Sequence, residues 1–359
     1  MAPSQIRGTG EMTEAKSEAW LAFDIGGANL KGAHSSGRAA SLPFEVWKRP
    51  DDLAEGLGEL ASALPPADGW AVTMTAELCD CFATKADGVR SILAAATRAA
   101  GGRPIRVWGV DGRFHEVASI LERPRLAAAS NWLALATVVA RSGFGESGLL
   151  VDVGSTTTDL IPWRASEVAI PPEARTDLGR LQSGALVYAG VRRTPICALA
   201  PSLPYRGADT PLMAELFATT LDVYLTLGDL PAAPEDRSTG DGGPSTPGAA
   251  LDRLARMIGL DRDDFTPADA LTLAQAADKA LVDRLIAAAD RVVADALREG
   301  PASVVIAGSG EFLARKLADR ISPLGGSVVS LAQAWGEPAS NAACARALIQ
   351  LVESEARTP

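Results

Sequence analysis

Histidine is nearly missing from this chain, with His34 and His115 the two examples in 359 residues. There is no H-E-x-x-H helix pattern and no C-x-x-C pair, so a zinc site or a Ser-His-Asp triad is a poor reading. Four cysteines in a chain of this length make no disulfide framework. No apolar run is long enough to span a bilayer. Residues 1–18 lack the apolar centre of a signal peptide and read as a disordered tail on a cytoplasmic protein. Positive charge is in deficit, 34 Lys and Arg against 44 Asp and Glu. That balance argues against nucleic acid or an anionic membrane as partner. The rest is ordinary for a globular protein, 47% hydrophobic and 22% charged, at a length that fills two domains.

What is present is concentrated in Val151-Asp152-Val153-Gly154-Ser155-Thr156-Thr157-Thr158-Asp159. An apolar strand delivers Asp152, Gly154 permits a tight reversal, and a run of hydroxyl residues follows. Backbone N–H groups at such a turn, with Gly154, Ser155, Thr156, Thr157 and Thr158, can surround phosphate oxygens. The aspartates would repel that anion, so a divalent metal is the natural intermediary. Mg²⁺ suits one or two carboxylates, waters and phosphates, and Asp24, Asp152 and Asp159 are its candidate ligands.

Asp24 belongs because the pattern occurs twice. In Phe23-Asp24-Ile25-Gly26-Gly27-Ala28-Asn29-Leu30-Lys31, Asp24 overlays Asp152, Gly26 overlays Gly154 and Lys31 overlays Asp159. Such an internal repeat points to a duplicated unit. Gly26, Gly27 and Asn29 then join the phosphate-binding candidates, and Lys31 becomes a candidate for countering the anion's charge. The two hairpins together resemble those of the actin, sugar-kinase and Hsp70 superfamily. Gly308-Ser309-Gly310, after the apolar run Val304–Ala307, resembles the adenosine element of that superfamily, with Gly308 and Gly310 as further contacts.

The remaining pattern alternates strand and helix, which implies largely parallel sheets. The resulting expectation is an α/β fold of two domains, actin/sugar-kinase/Hsp70-like, with a helical insertion. Residues 19–147 form the first domain and 148–333 the second. Residues 334–359 form a terminal helix that returns to the first. Helices are expected over Asp51–Leu64, Val89–Ala100, Ala127–Val139, Pro211–Leu227 and Ser340–Glu355, with two or three more between 250 and 299. Residues 231–249 read as loop.

Glu77 and Asp80 follow the strand Trp70–Thr75, at the strand end where ligands gather in open α/β sheets. Either is a candidate base, and either is equally a turn or cap residue. Lys85, Asn131, Arg180 and Arg192 are candidate substrate contacts, the arginines because they pair bidentately with phosphate or carboxylate. Surface ion pairs are the plainer explanation for the arginines, and Asn131 could equally bond backbone between the domains.

Together with Met74–Phe82, Ser130-Asn131-Trp132 and Arg193-Thr194-Pro195, these motifs resemble the hydantoinase/oxoprolinase-related proteins linked to tetrahydromethanopterin-dependent C1 transfer. The resemblance covers residues 19–355. It implies an ether-forming transferase of methanofuran-type cofactor biosynthesis, Mg²⁺-dependent and releasing pyrophosphate. Its partners would be small molecules, an aminomethylfuran diphosphate and the phenol of a tyramine or tyrosine unit. The fold analogy by itself suggests ATP, which the resemblance disfavours. An ATP-dependent kinase or ligase, a hydantoinase-like hydrolase and a nucleotide-sensing scaffold stay open as alternatives. So does assembly into a homo-oligomer.

Overall fold

The computed structural model describes residues 18–297, 301–321 and 326–357; the expected tail lies outside these up to residue 17. The first sheet starts with Trp20–Ile25 (β1), Asn29–His34 (β2) and Ala39–Pro43 (β3). Helix Leu53–Ser62 (α1) leads to Gly69–Met74 (β4), and helix Lys85–Ala100 (α2) leads to Ile105–Trp108 (β5) and Phe114–Glu116 (β6). Helices Val117–Glu122 (α3) and Asn131–Arg141 (α4) complete this half. The strand order is β3-β2-β1-β4-β5-β6, with β1, β4 and β5 parallel.

Period-two alternation along β1 sorts the core. Leu21, Phe23 and Ile25 pack with Trp70, Val72 and Met74 in the core that α1 and α2 cover. Each such buried side chain stabilises the fold by about 1.5–3 kcal/mol. Trp20 and Ala22 belong to the other core, which is continuous with the second half of the molecule. Asp24 has the parity of Ala22, so the chain's own alternation turns this carboxylate towards the second half.

That half repeats the plan. Ser147–Val153 (β7) and Thr158–Arg164 (β8) form the second hairpin, and Glu167–Val168 (β9) pairs with β8. Helix Asp177–Ser183 (α5), strand Leu186–Val187 (β10), and the small hairpin Ser202–Tyr205 (β11) and Ala208–Pro211 (β12) follow. Helices Thr220–Leu227 (α6), Pro247–Arg256 (α7) and Pro267–Ala296 (α8) are the insertion. Ser303–Ala307 (β13), Glu311–Ile321 (α9) and Ser327–Ser330 (β14) close the sheet, in the order β10-β8-β7-β13-β14. As β1 runs parallel to β4, so β7 runs parallel to β13. Short helices Leu331–Trp335 (α10) and Glu337–Asn341 (α11) precede Ala343–Arg357 (α12), which packs on α4, β1, β2 and β4.

Three expected helices change. Pro211 closes a strand instead of opening a helix, and α6 begins only at Thr220. There a capping box between Thr219 and Asp222 supplies the start. Asp222 therefore lies in the first turn of the helix. The helix expected from Ala127 begins at Asn131, because Ala129 takes a left-handed backbone with φ of 49°. The one expected from Val89 starts four residues earlier, where the Thr84 hydroxyl accepts the Asp87 N–H at 3.1 Å. The early start puts Lys85 at the helix entrance.

Candidate active site

The two hairpins match in three dimensions as they do in sequence. Asp24 lies opposite Lys31 across β1 and β2, and Asp152 lies opposite Asp159 across β7 and β8. Gly26 N–H donates to the Asn29 carbonyl at 3.1 Å, and Gly154 N–H to the Thr157 carbonyl at 2.8 Å. The N–H groups of Gly27, Ala28, Ser155 and Thr156 have no acceptor among the described residues. Gly190 packs so closely on the second turn that a Cβ there would lie 2.4 Å from the Gly154 oxygen.

Asp24 is buried, with its Oδ2 accepting from Asn131 Nδ2 at 3.4 Å and its Oδ1 without a partner. Burial raises its pKa, opposed by Lys31 and Asn131. Asp152 is only partly exposed, and burial pushes it up to about 7. The charge of Asp159 adds to that rise, Lys31 opposes it, and Asp24 contributes a smaller increase. One lysine thus acts on both aspartates, so the two hairpins face a shared gap. Behind it, at the start of α12, the buried thiol of Cys344 is pushed up by burial and then by Asp24 and Asp152. A thiol so raised is inert packing. Among the described residues no three His, Cys, Asp or Glu side chains lie together as a group that could hold a metal ion.

Gly308 shapes the same gap. Its φ is 89°, and a Cβ would fall 2.5 Å from Asp152 Oδ1 and 2.3 Å from the Val153 oxygen. Only glycine fits that position without strain. Gly310, by contrast, is buried against Val153 and Val191 and donates its N–H to the Val153 carbonyl at 2.9 Å. It is a packing residue, not the phosphate contact expected of it.

Other expected contacts are engaged within the protein. Thr158 is fully buried and its hydroxyl donates to the Ala189 carbonyl at 2.8 Å, out of reach of a phosphate. Arg180 is buried, paired with Asp159 and with Asp177 at 3.0 Å, and lies over the Trp132 ring at 4.6 Å. It is therefore an internal hub and no free substrate contact, and Asp159 has a guanidinium for its partner where a metal was expected. Arg192 pairs with Asp236, while its backbone N–H holds the Ser155 carbonyl at 3.0 Å. Lys85 pairs with Asp177. Of the four, Asn131 holds the aspartate of the first hairpin, Asp24, and Arg180 holds Asp159 of the second.

Glu77 and Asp80 separate. Asp80 is exposed. Glu77 is 1% exposed, and neither carboxylate oxygen has a well-formed hydrogen bond. Burial pushes it up to about 7, against its own N–H, Lys85 and the Ala129 N–H, with Asp177 adding to the rise. Asp24 is not among the groups that act on it, so Glu77 sits beside the Lys85–Asp177 contact. Sequence motifs missed Asp177. Its only signal is the helix-start pattern Thr176-Asp177 with Arg180 three residues on. Two surface hollows lie away from the hairpins, one between α8 and α9 by Asp278 and Lys316, the other by Trp108 and Arg141.

Two sheets on one plan, each opened by an aspartate-bearing hairpin, and a terminal helix that recrosses to the first sheet define the actin/sugar-kinase/Hsp70-like class of α/β protein. A non-polymerisable ParM quadruple mutant aligns over 94% of this chain and 99% of its own, at 13% identity and a TM-score of 0.48. The chain belongs to the hydantoinase/oxoprolinase family, whose model matches residues 68–343. It is 32% identical to the (4-{4-[2-(gamma-L-glutamylamino)ethyl]phenoxymethyl}furan-2-yl)methanamine synthase of Methanocaldococcus jannaschii, over 93% of this chain and 98% of the relative. The Methanococcus vannielii protein of the same name is 29% identical, over 58% of this chain and 91% of its own.

Proposed function

We propose that this chain is a transferase that forms an aryl ether between an aminomethylfuran diphosphate and the phenol of a tyramine- or tyrosine-type acceptor, releasing pyrophosphate. The observation that carries this reading is the nearly end-to-end match with a relative whose name describes such a phenoxymethylfuran amine. The doubled hairpin supports it, since two turns with unclaimed N–H groups suit the two phosphates of one leaving group.

Asp24 and Asp152 would hold Mg²⁺; the buried, partnerless Asp24 Oδ1 fits that role. When bound, the ion neutralises the diphosphate and acts as a Lewis acid on it. Lys31 and the turn N–H groups orient the phosphate oxygens. The furfuryl C–O bond breaks with its electron pair going to pyrophosphate, and the electron-rich ring stabilises the carbon left behind. The phenol oxygen then forms the new C–O bond and gives up its proton. A phenol has an ordinary pKa of about 10 and is protonated at neutral pH. Of the two candidate bases, Glu77 is the one the fold buries beside the Lys85–Asp177 contact, and burial raises it to about 7, nearer the phenol than a free carboxylate. General-base assistance of this kind contributes about 10²–10⁴-fold.

Measuring pyrophosphate and ADP separately, with and without the furan diphosphate, tests the reading. Pyrophosphate formed in step with ether is the expected result. ADP released in step with product would replace it with an ATP-dependent kinase or ligase.

A further inference from the structure

Two of the contacts that join the halves, that of Lys85 and that of Arg180 with Trp132, meet at Asp177, a residue outside every motif. It is the first residue of α5, and its two carboxylate oxygens go to different places. One accepts from Lys85 at the entrance of α2, in the first half. The other accepts from Arg180 at 3.0 Å, whose guanidinium also reaches Asp159 of the second hairpin and covers Trp132 of α4. Beside them Glu77 is buried, with backbone N–H groups of Ala129 and of Glu77 itself near its carboxylate and no ion pair. A buried carboxylate without a cation is costly, and a lysine on the next helix is its natural partner. Lys85 is instead claimed by Asp177.

We propose that Asp177 is a positioning residue for the transferase reaction: by drawing Lys85 across to the second half, it keeps a cation off Glu77 and leaves that carboxylate free to take the acceptor's proton. This rests on the transferase reading above. Several groups among the described residues act on Glu77. They are Lys85 on α2, Asp177 on α5, the N–H groups of Ala129 and of Glu77 itself, and the Cys79 thiol, itself pushed up to about 11 by burial. Lys85 lowers the pKa of Glu77 and Asp177 raises it. Removing the Asp177 charge therefore acts twice in one direction, since it deletes a repelling charge and releases an attracting one. An opposite charge that moves within about 4–6 Å lowers a carboxyl pKa by about 1–3 units.

The test follows single-turnover ether formation against pH in the full chain, with Mg²⁺, aminomethylfuran diphosphate and a tyramine acceptor. In the wild type the rate falls as pH drops through about 7, where Glu77 takes up a proton. In Asp177→Asn that limb moves about 1–3 units lower, and the rate on the plateau falls because a less basic carboxylate is a weaker acceptor. In Lys85→Met the limb moves to higher pH. The infrared carboxyl band that Glu77→Gln abolishes reports the same titration without turnover, so a chain that makes no ether still gives an answer about Asp177. Unchanged limb and band positions in Asp177→Asn and Lys85→Met, or shifts of the opposite sign, would overturn the proposal. A wild type that yields neither ether nor pyrophosphate overturns the transferase reading instead. If one variant fails to fold, the direction of shift in the other decides.

Discussion

Replacing Asp152 by Asn should make the metal-free protein more stable at neutral pH while destroying what the residue is for. Burial, together with the charge of Asp159, displaces the Asp152 pKa from an ordinary 3.8 to about 7. The native state therefore holds this proton more tightly than the unfolded chain does. Below pH ~4 the carboxyl is neutral in both states and costs nothing. As pH rises from ~4 to ~7 the unfolded chain ionises freely, the native state resists, and stability is lost. Each pKa unit is about 1.4 kcal/mol, so the roughly three units between the two values cost about 4 kcal/mol above pH 7. Asparagine has the same shape and no charge. Urea denaturation in a chelating buffer should give equal stabilities for both proteins at pH 4, and an advantage to Asp152→Asn of up to about 4 kcal/mol at pH 8. Adding Mg²⁺ and pyrophosphate at pH 8 should stabilise the wild type and leave the variant unmoved. A variant no more stable than wild type at pH 8, or one that keeps the Mg²⁺-linked stabilisation, would refute this account of Asp152.

Gly308→Ala adds a Cβ 2.3 Å from the Val153 oxygen at a φ of 89°. It should cost about 1–3 kcal/mol by urea denaturation and weaken pyrophosphate binding by calorimetry; wild-type values for both would show that the turn relaxes. Gly190→Ala presses on the second turn from behind, 2.6 Å from the Thr156 N atom. Calorimetry should find pyrophosphate affinity reduced at least about tenfold, or about 1.4 kcal/mol; an unaltered affinity would remove Thr156 from the phosphate site. Far from the hairpins, Arg253 on α7 and Asp222 on α6 form a fully buried pair. Arg253→Met strands the carboxylate and should cost about 3–5 kcal/mol. The double variant with Asp222→Asn should recover most of it, and no recovery would mean that Arg253 acts mainly through Asp241 and the Pro244 carbonyl, which it also holds.

The sequence made the hairpins legible because their spacing encodes register. Asp24 with Lys31, and Asp152 with Asp159, are seven residues apart in both copies, and each pair proves to be a cross-strand pair. A turn of fixed length between two strands leaves no other solution. The Thr158 hydroxyl misled because a run of small polar residues looks uniform, whereas a strand sends successive side chains to opposite faces. Thr158 is the first residue of β8 and points into the core. The helix expected from Pro211 failed for a similar reason: apolar spacing suggested it, but the strand partner of Pro211, Ser202, lies nine residues upstream.

Charged partners were the least legible part, and for a physical reason. An arginine's identity gives its reach and its fork of donors, but its partner is chosen by the fold. Arg180 finds Asp177 three residues before it, a spacing visible in any helix, yet also Asp159 twenty-one residues away and Trp132 in the other half. Lys85 meets Asp177 across ninety-two residues. Reading such residues singly makes each one a candidate for substrate. Placed together they neutralise one another, and the buried carboxylate beside them without an ion pair is Glu77. A buried charge that the protein could have paired, with a lysine close by, and did not pair is where chemistry is to be sought, and Asp177 is what keeps it so.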